Sequence, residues 1–140
     1  MTVIYIVPFK CLGIQIPIRL QVMMARELCE EKSITFTLPT TESWINQTFD
    51  LLESVLMGKD NNIIIYSHLF LASKEATRIL IKSKYYCKKK KFHCSYSKES
   101  YNYDELLSQI ESKCRHEKYS KKLDHVLDYI KTINWHDQSD

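Results

Sequence analysis

Four short runs of β-branched and aromatic residues alternate with longer amphipathic runs, and this alternation constrains the fold more than any other feature of the chain. The short runs predict strands at residues 3–7, 33–38, 62–66 and 92–96. Pro8 and Pro39 end the first two strands, because proline cannot donate a hydrogen bond to a ladder. Strands that are joined through helix-length runs pair in parallel, with right-handed crossovers. The sequence therefore predicts an α/β fold, a three-layer flavodoxin-like or Rossmann-like sandwich with a four-stranded parallel sheet.

The longer runs carry apolar residues at helical spacing and predict about five helices. These helices are expected at residues 18–31, 43–57, 73–86, 104–115 and 119–135, with a turn at 40–42 and a frayed tail after 135. All 140 residues are expected to form a single α/β domain, since a chain of this length builds one hydrophobic core.

Glycine and cysteine usage excludes several classes of protein. The chain has only two glycines, Gly13 and Gly58, so it contains neither a dinucleotide-binding fingerprint nor a Walker loop. Ser67-His68 lacks the flanking glycines of a nucleophile elbow. The five cysteines are odd in number and form no C-x-x-C pair, which favours free thiols. We therefore expect no cofactor and no bound metal.

The apolar runs are too short for a membrane segment. The longest, at residues 14–18 and 63–66, fall far below the roughly 20 residues that a spanning helix needs. The first five residues have no basic segment before their apolar stretch, so they do not resemble a signal peptide. The expected location is the cytoplasm.

Positive charge is concentrated in residues 82–122, which hold twelve Lys and Arg against five Asp and Glu. A basic region with interleaved tyrosines is typical of proteins that bind phosphates or nucleic acid. We consider nucleic-acid binding through residues 82–91 as an alternative function. The simpler interpretation, a solvated helix end followed by a lysine-rich turn, is favoured.

Ligands of parallel α/β folds bind outside the carboxyl ends of the strands. The loops at that edge are residues 8–17, 39–42, 67–73 and 97–101. Their polar side chains are expected to converge: Lys10, Gln15, Thr40, Thr41, Glu42, Ser67, His68, Lys98, Glu99 and Tyr101. Carboxylates, lysines and a serine beside a histidine are side chains that can perform acid–base chemistry on a polyol. The alternative is that they are ordinary loop residues, since their spacing is not diagnostic of a site.

Scattered short motifs over residues 3–100 resemble a known family. They are Tyr5-Ile6-Val7-Pro8-Phe9, Ile16-Pro17-x-x-x-Gln21-x-x-x-x-Arg26-Glu27-Leu28-Cys29, Thr41-Glu42-Ser43 and Ile64-Ile65-Tyr66-Ser67. They are similar to motifs of the sporadic carbohydrate cluster proteins, short bacterial proteins encoded among genes for O-antigen, capsule or related surface polysaccharides. The resemblance implies a role in such a pathway and draws attention to seven polar residues: Gln21, Arg26, Glu42, Tyr66, Ser67, Arg78 and Glu99.

The chain departs from this family at one position of the first loop. Members of the family have an arginine just before the proline of that loop. Here Val7 precedes Pro8, and Lys10 is the nearest cation. If that arginine binds a phosphate in the family, this chain either lacks the phosphate ligand or binds it through Lys10.

The leading hypothesis is a small cytoplasmic protein of bacterial surface-polysaccharide biosynthesis that acts on, or binds, a sugar phosphate or nucleotide sugar. Acid–base chemistry of the isomerase, epimerase or lyase type would use Glu42, Ser67 and Glu99 as catalytic residues. The substrate would be bound by six residues: Lys10, Gln21, Arg26, Thr41, Tyr66 and Arg78. The alternative is a non-catalytic partner or regulatory subunit, with a homodimer formed through the apolar stripe Leu123, Leu127, Ile130 and Trp135.

The order of strands and helices also resembles the catalytic domain of serine recombinases. The serine nucleophile that follows the first strand in those enzymes is missing, since Pro8 and Phe9 occupy that region. Their chemistry therefore does not transfer to this chain.

Overall fold

Five strands form one sheet in the part of the chain that the structure describes. The computed structural model describes residues 1–118 of the chain. Its strands are β1 (Thr2–Ile6), β2 (Thr40–Thr41), β3 (Asn62–Ile65), β4 (Lys91–Cys94) and β5 (Glu99–Tyr101). They lie in the order β2-β1-β3-β4-β5, and all neighbouring pairs are parallel except β4 and β5. The mixed α/β fold is confirmed, but the sheet has five strands and not four.

The described part of the chain also contains five α-helices and one 3-10 helix. The α-helices are α1 (Ile18–Glu31), α2 (Leu52–Met57), α3 (Lys74–Lys82), α4 (Lys84–Cys87) and α5 (Tyr103–Lys118). The 3-10 helix, His68–Leu71, lies between β3 and α3. The predicted bounds of α1 are confirmed. No helix among residues 1–118 is both long and apolar enough to cross a bilayer. The helix expected at 119–135 and the tail after 135 lie outside the described residues.

Side chains from the two faces of the sheet enter separate cores. Ile4, Ile6 and Ile64 point to one face and pack against α1. Tyr5 and Ile63 point to the other face, where α2, α3 and α5 cover them. Successive side chains of a strand alternate between faces, so strands that are covered on both sides read as continuous apolar runs. This is why three of the strand positions were recognisable from the sequence.

The prediction of a second strand at residues 33–38 is wrong. The ladder forms only after Pro39, where Thr40 and Thr41 lie opposite Tyr5 and Ile6. Residues before it alternate in burial because Ile34 and Phe36 pack against α1, but they make no ladder to β1. The pattern of apolar residues was therefore correct, while the pairing that it suggested does not occur. The turn expected at 40–42 is in part this strand.

The prediction of one helix over residues 43–57 is also wrong, because only α2 at its end is helical. Residues 43–51 form turns, and the backbone of Gln47 has a φ of 53° that does not fit a right-handed helix. Residues 73–86 likewise split into α3 and α4 at Ser83.

β5 was expected to be a loop. It pairs antiparallel with β4 through a tight turn, in which Lys98 has a φ of 62° and donates its N–H to the Cys94 carbonyl at 2.8 Å. A three-residue strand without a β-branched run carries too little pattern to be recognised.

A buried histidine ties three strands together. The Oδ1 atom of Asn62 lies 2.9 Å from Nε2 of His93, and Oγ of Ser100 lies 2.7 Å from Nδ1. Because an amide oxygen only accepts, Nε2 carries the hydrogen and Nδ1 accepts from the serine hydroxyl. Burial, together with the positive charges of Lys32 and Lys91, lowers the pKa of His93 to about 4.

This histidine makes the fold sensitive to acid. Between pH 6.5 and about 4 the unfolded chain binds a proton at His93 that the folded protein does not bind. The free energy of unfolding should therefore fall as the pH falls through this window, by about 3 kcal/mol in total. Urea unfolding at several pH values measures the slope, and His93→Gln should flatten it. An unchanged slope in the variant would show that His93 is not the titrating group.

One lysine of the basic run is structural. Lys90 is buried, and its Nζ atom donates to the carbonyls of Gly58 and Asp60, at 2.6 Å each. These bonds hold the turn between α2 and β3 against the start of β4. Lys90 is therefore not available to an external partner, whereas its neighbour Lys89 is exposed.

Lys90→Met should lower the free energy of unfolding by about 1–3 kcal/mol, because the partly buried carbonyls of Gly58 and Asp60 lose a charged donor. Lys89→Met, which removes the same charge from an exposed position, should change it by less than about 0.5 kcal/mol. Urea unfolding of both variants tests this. Equal effects would contradict the structural role of Lys90.

Candidate functional site

A cleft opens at the carboxyl ends of β1 and β2. Its volume is about 400 Å³, and one wall comes from the loop after β1 (residues 7–17, the β1 loop) and the first residue of α1. The other wall comes from residues 43–51, the 43–51 segment. We refer to this as the β1–β2 cleft, and its lining residues are Pro8, Phe9, Lys10, Gln15, Ile18, Trp44 and Gln47.

A smaller cleft of about 190 Å³ lies on the other side of Lys10. It shares Phe9, Lys10 and Gln47 with the first cleft, and the start of α3 closes it through Ser73, Lys74 and Glu75. Lys10 therefore stands between two depressions at the edge where α/β proteins bind ligands. A third cleft, of about 500 Å³, lies at the opposite edge beside Thr2 and Asn62, and no charged side chain lines it.

The start of the β1 loop is held by a buried glutamine. The Gln21 Nε2 atom donates to the carbonyls of Val7 at 2.7 Å and Ile16 at 2.8 Å, while its Oε1 accepts from the Val7 N–H at 3.2 Å. The amide thus pairs with Val7 as a neighbouring strand would. Gln21 was predicted to bind substrate. Its side chain is instead buried and does not line the cleft, and its amide is hydrogen-bonded to the backbone of Val7 and Ile16.

The tip of the β1 loop is a two-residue turn. Cys11 and Ile14 exchange both backbone hydrogen bonds, at 2.7 and 2.9 Å. Leu12 and Gly13, with φ of 50° and 81°, occupy the two central positions that require positive φ. This turn ends the stretch that carries Lys10 and gives it a defined backbone conformation.

Glu42 holds the 43–51 segment. Its carboxylate accepts the Tyr5 hydroxyl at 2.6 Å and the Leu51 N–H at 2.9 and 3.0 Å, and the residue is only 2% exposed. One side chain therefore connects the centre of β1 to the far end of the segment that forms a wall of the cleft. The residue predicted as a general acid or base faces inward, toward β1.

Burial governs the ionisation of this pair. Removal from water raises the pKa of Glu42, although the bonds from Tyr5 and from the Leu51 and Leu52 backbone act in the opposite direction. Burial and the adjacent carboxylate raise the pKa of Tyr5 strongly, so its hydroxyl remains a donor. The raised pKa of Glu42 contributes stability at acidic pH, the opposite sign to His93.

Two cleft residues were missed by the sequence analysis. Trp44 is 66% exposed and lines the β1–β2 cleft together with Gln47. Both fell within the predicted helix 43–57, in which Ile45 was placed on the apolar face; Ile45 is in fact 74% exposed. A tryptophan within a polar stretch directly after a strand was the signal available to find them.

The predicted anion-binding arginines lie elsewhere. The guanidinium of Arg26 lies over the Phe36 ring, 4.4 Å from its centroid. Arg26 is two helical turns beyond Ile18, which places it about 12 Å along α1 from the cleft. Arg78 lies partly buried in the middle of α3, and Thr41 pairs with Ile6 in the ladder.

The remaining predicted residues follow β3 and β4. Tyr66 stacks on Phe70 with ring centroids 5.8 Å apart, and Ser67 accepts the Leu69 N–H at the start of the 3-10 helix. Glu99 is exposed on β5. Its neighbour Lys98 forms an ion pair with Glu31 at 2.6 Å.

The structure brings only some of the predicted residues together. Lys10 and Gln15 line the same cleft. None of the three clefts is lined by Glu42, Ser67 or Glu99, and no described hydrogen bond joins any two of these three.

The cysteines and histidines of the described residues do not gather into a metal centre. Cys87 and Cys94 lie in the core beneath α2, α3 and α5, whereas His93 points to the opposite face of β4. In residues 1–112 the cysteines Cys11, Cys29, Cys87 and Cys94 are free and buried.

Removing the Glu42 carboxylate should loosen the 43–51 segment. Glu42→Ala leaves the Tyr5 hydroxyl and the Leu51 N–H without their acceptor, so the free energy of unfolding should fall by about 2–4 kcal/mol. Glu42→Gln keeps an amide oxygen for Leu51 and can donate to the Tyr5 oxygen, so it should cost less than half as much. Thermal and urea unfolding compare the two. An equally mild effect of both variants would show that the Glu42 carboxylate does not hold the 43–51 segment in place.

The chain matches no protein-family model, no curated protein and no solved structure. The resemblance to the sporadic carbohydrate cluster proteins therefore stays a prediction from the sequence. We base the function on the geometry of the β1–β2 cleft.

Proposed function

We propose that the β1–β2 cleft binds a sugar phosphate, or the sugar phosphate part of a nucleotide sugar, for a pathway of bacterial surface-polysaccharide biosynthesis. The observation that carries this proposal is the pairing of an exposed tryptophan, Trp44, with a cation, Lys10, in one cleft. The resemblance of residues 3–100 to the sporadic carbohydrate cluster proteins supplies the pathway.

Trp44 offers a flat aromatic surface. A pyranose ring exposes axial C–H bonds on one face, and these are attracted to the electron-rich face of an indole. An exposed tryptophan in a cleft whose other apolar lining residues are Pro8, Phe9 and Ile18 therefore suits a ligand with an apolar face and polar edges.

Lys10 supplies the charge. Among the described residues it is the only ionisable side chain that lines the β1–β2 cleft, and it is exposed. An ammonium group binds phosphate as a compact point charge. The same side chain also borders the smaller cleft, so a ligand with a second phosphate could extend from one cleft toward the other.

Two amides supply hydrogen bonds for hydroxyl groups. Gln15 donates through Nε2 to the Pro8 carbonyl at 3.1 Å, which orients the amide and leaves its oxygen as an acceptor. Gln47 presents its amide from a backbone with a φ of 53°. Such strained backbone positions cluster at binding sites, where the surrounding structure holds them in place.

The walls of the cleft are held before any ligand arrives. Gln21 fixes the β1 loop and Glu42 fixes the 43–51 segment. A preformed site loses less conformational entropy on binding than a flexible one. The inward-facing carboxylate of Glu42 favours a positioning role, while acid–base catalysis by Glu42, Ser67 and Glu99 stays a prediction.

We also propose a flavodoxin-like arrangement for the sheet. The strand order β2-β1-β3-β4-β5 supports this arrangement. The difference is at the edge, where β5 runs antiparallel to β4. In flavodoxin-like sheets the strand order reverses between β1 and β3, and ligands bind beside that point. The β1 loop and the start of α3 both border the smaller cleft there.

Binding to the cleft can be measured by isothermal titration with glucose 1-phosphate and UDP-glucose, and with glucose and inorganic phosphate as partial ligands. We expect binding of at least one phosphorylated sugar that weakens about tenfold or more in Trp44→Ala and in Lys10→Ala. Each variant removes one half of the recognition, so the double variant should abolish binding.

Ile45→Ala and Lys59→Ala are the matched controls, because both residues are exposed and neither lines the cleft. They should leave affinity unchanged. Binding that survives both Trp44→Ala and Lys10→Ala would place the ligand elsewhere, and no binding of any sugar at millimolar concentration would refute the proposal.

A further inference from the structure

A basic and aromatic surface lies around α4, away from the clefts. Tyr85 is 76% exposed and Tyr86 is 48% exposed. Lys84, Lys88 and Lys89 are exposed beside them. We call these five residues the α4 patch.

The two tyrosines form a small exposed aromatic cluster. Their rings meet edge to face with centroids 5.5 Å apart, and the Lys88 Nζ atom lies 5.6 Å from the Tyr85 ring centroid. Large apolar side chains are also exposed on the elements that pack against α4, with Met57 at the end of α2 and Ile81 at the end of α3. The surface thus combines positive charge with apolar and amphipathic groups.

The segment that carries the α4 patch has no negative charge of its own. Residues 82–91 contain six lysines and no acidic residue. The structure accounts for two of them, since Lys90 is buried on backbone carbonyls and Lys82 pairs with Glu53 at 3.2 Å. Exposed lysines remain at 84, 88, 89 and 91.

The shape of the patch distinguishes between anionic partners. A single nucleic-acid strand is held by a groove that follows its backbone, but none of the three clefts is lined by a residue of 82–91. A bilayer surface needs no groove. Lysines bind its anionic headgroups, while tyrosine rings suit the boundary between headgroups and acyl chains.

We propose that the α4 patch docks the protein peripherally onto an anionic lipid bilayer. Lys84, Lys88 and Lys89 contact lipid phosphates, and Tyr85 and Tyr86 enter the interfacial layer. α4 precedes β4 and therefore lies near the amino edge of the sheet, whereas the β1–β2 cleft is at the carboxyl edge. Docking leaves the cleft open to its ligand. This inference does not depend on the proposed sugar ligand.

Co-sedimentation of the full chain with vesicles tests the proposal. Vesicles of phosphatidylcholine alone should not bind the protein, whereas vesicles with one quarter phosphatidylglycerol should, and added salt should release it. Each lysine near an anionic surface contributes about fivefold to binding. Lys88→Gln/Lys89→Gln should therefore weaken binding about 25-fold, and Tyr85→Ser should weaken it several-fold.

The control with the same net charge is Arg19→Gln/Lys32→Gln, which removes two exposed positive charges at the two ends of α1, outside the patch. It should retain most of the binding. Equal loss in both double variants would show that net charge acts without a defined patch and would overturn the proposal. So would absence of binding to anionic vesicles, or an oligothymidine strand that binds more tightly than the vesicles and displaces the protein from them.

Discussion

Two buried side chains that bond to backbone, Gln21 on α1 and Glu42 after β2, determine the shape of the carboxyl edge of the sheet. Each backbone N–H or C=O group of a loop that is removed from water and finds no hydrogen-bond partner costs about 1–3 kcal/mol. Gln21 supplies the partners of Val7, and Glu42 supplies the partner of Leu51. The β1 loop and the 43–51 segment can therefore be partly buried without belonging to a helix or a long strand. Trp44, Lys10 and the two cleft glutamines depend on these connections for their positions.

The elements that the sequence predicted well are those defined by apolar burial on both faces. β1, β3 and α1 have one face or both against a core, so their period is visible in the residues themselves. The errors come from segments whose periodic pattern does not match their backbone hydrogen bonds. The 43–51 segment has helical spacing but forms turns, and Glu42 bonds to the N–H at its far end. Residues 33–38 alternate because Ile34 and Phe36 pack on α1, without pairing to β1. In neither segment does the period reveal which backbone groups are paired.

The sequence predicted where the candidate site lies, but only some of the residues that line it. The rule that ligands bind at carboxyl ends of parallel strands led to Lys10 and Gln15, which share a cleft. Gln21 and Glu42 were recognised as unusual polar residues, but which way a side chain faces depends on the partner that tertiary structure supplies. Trp44 and Gln47 were hidden by an assignment to a helix. Gln21 and Glu42 thus stabilise the walls of the cleft without lining it.

Hydrogen–deuterium exchange at the Leu51 and Val7 amides tests this account most directly. If buried side chains hold the two segments, both amides should exchange nearly as slowly as those at the centre of β1, although the Leu51 N–H bonds to the Glu42 side chain and not to a backbone carbonyl. Exchange of Leu51 at the rate of an unprotected loop amide would contradict the account. The walls of the cleft would then not be preformed, and the positions of Trp44 and Lys10 would have to come from the ligand.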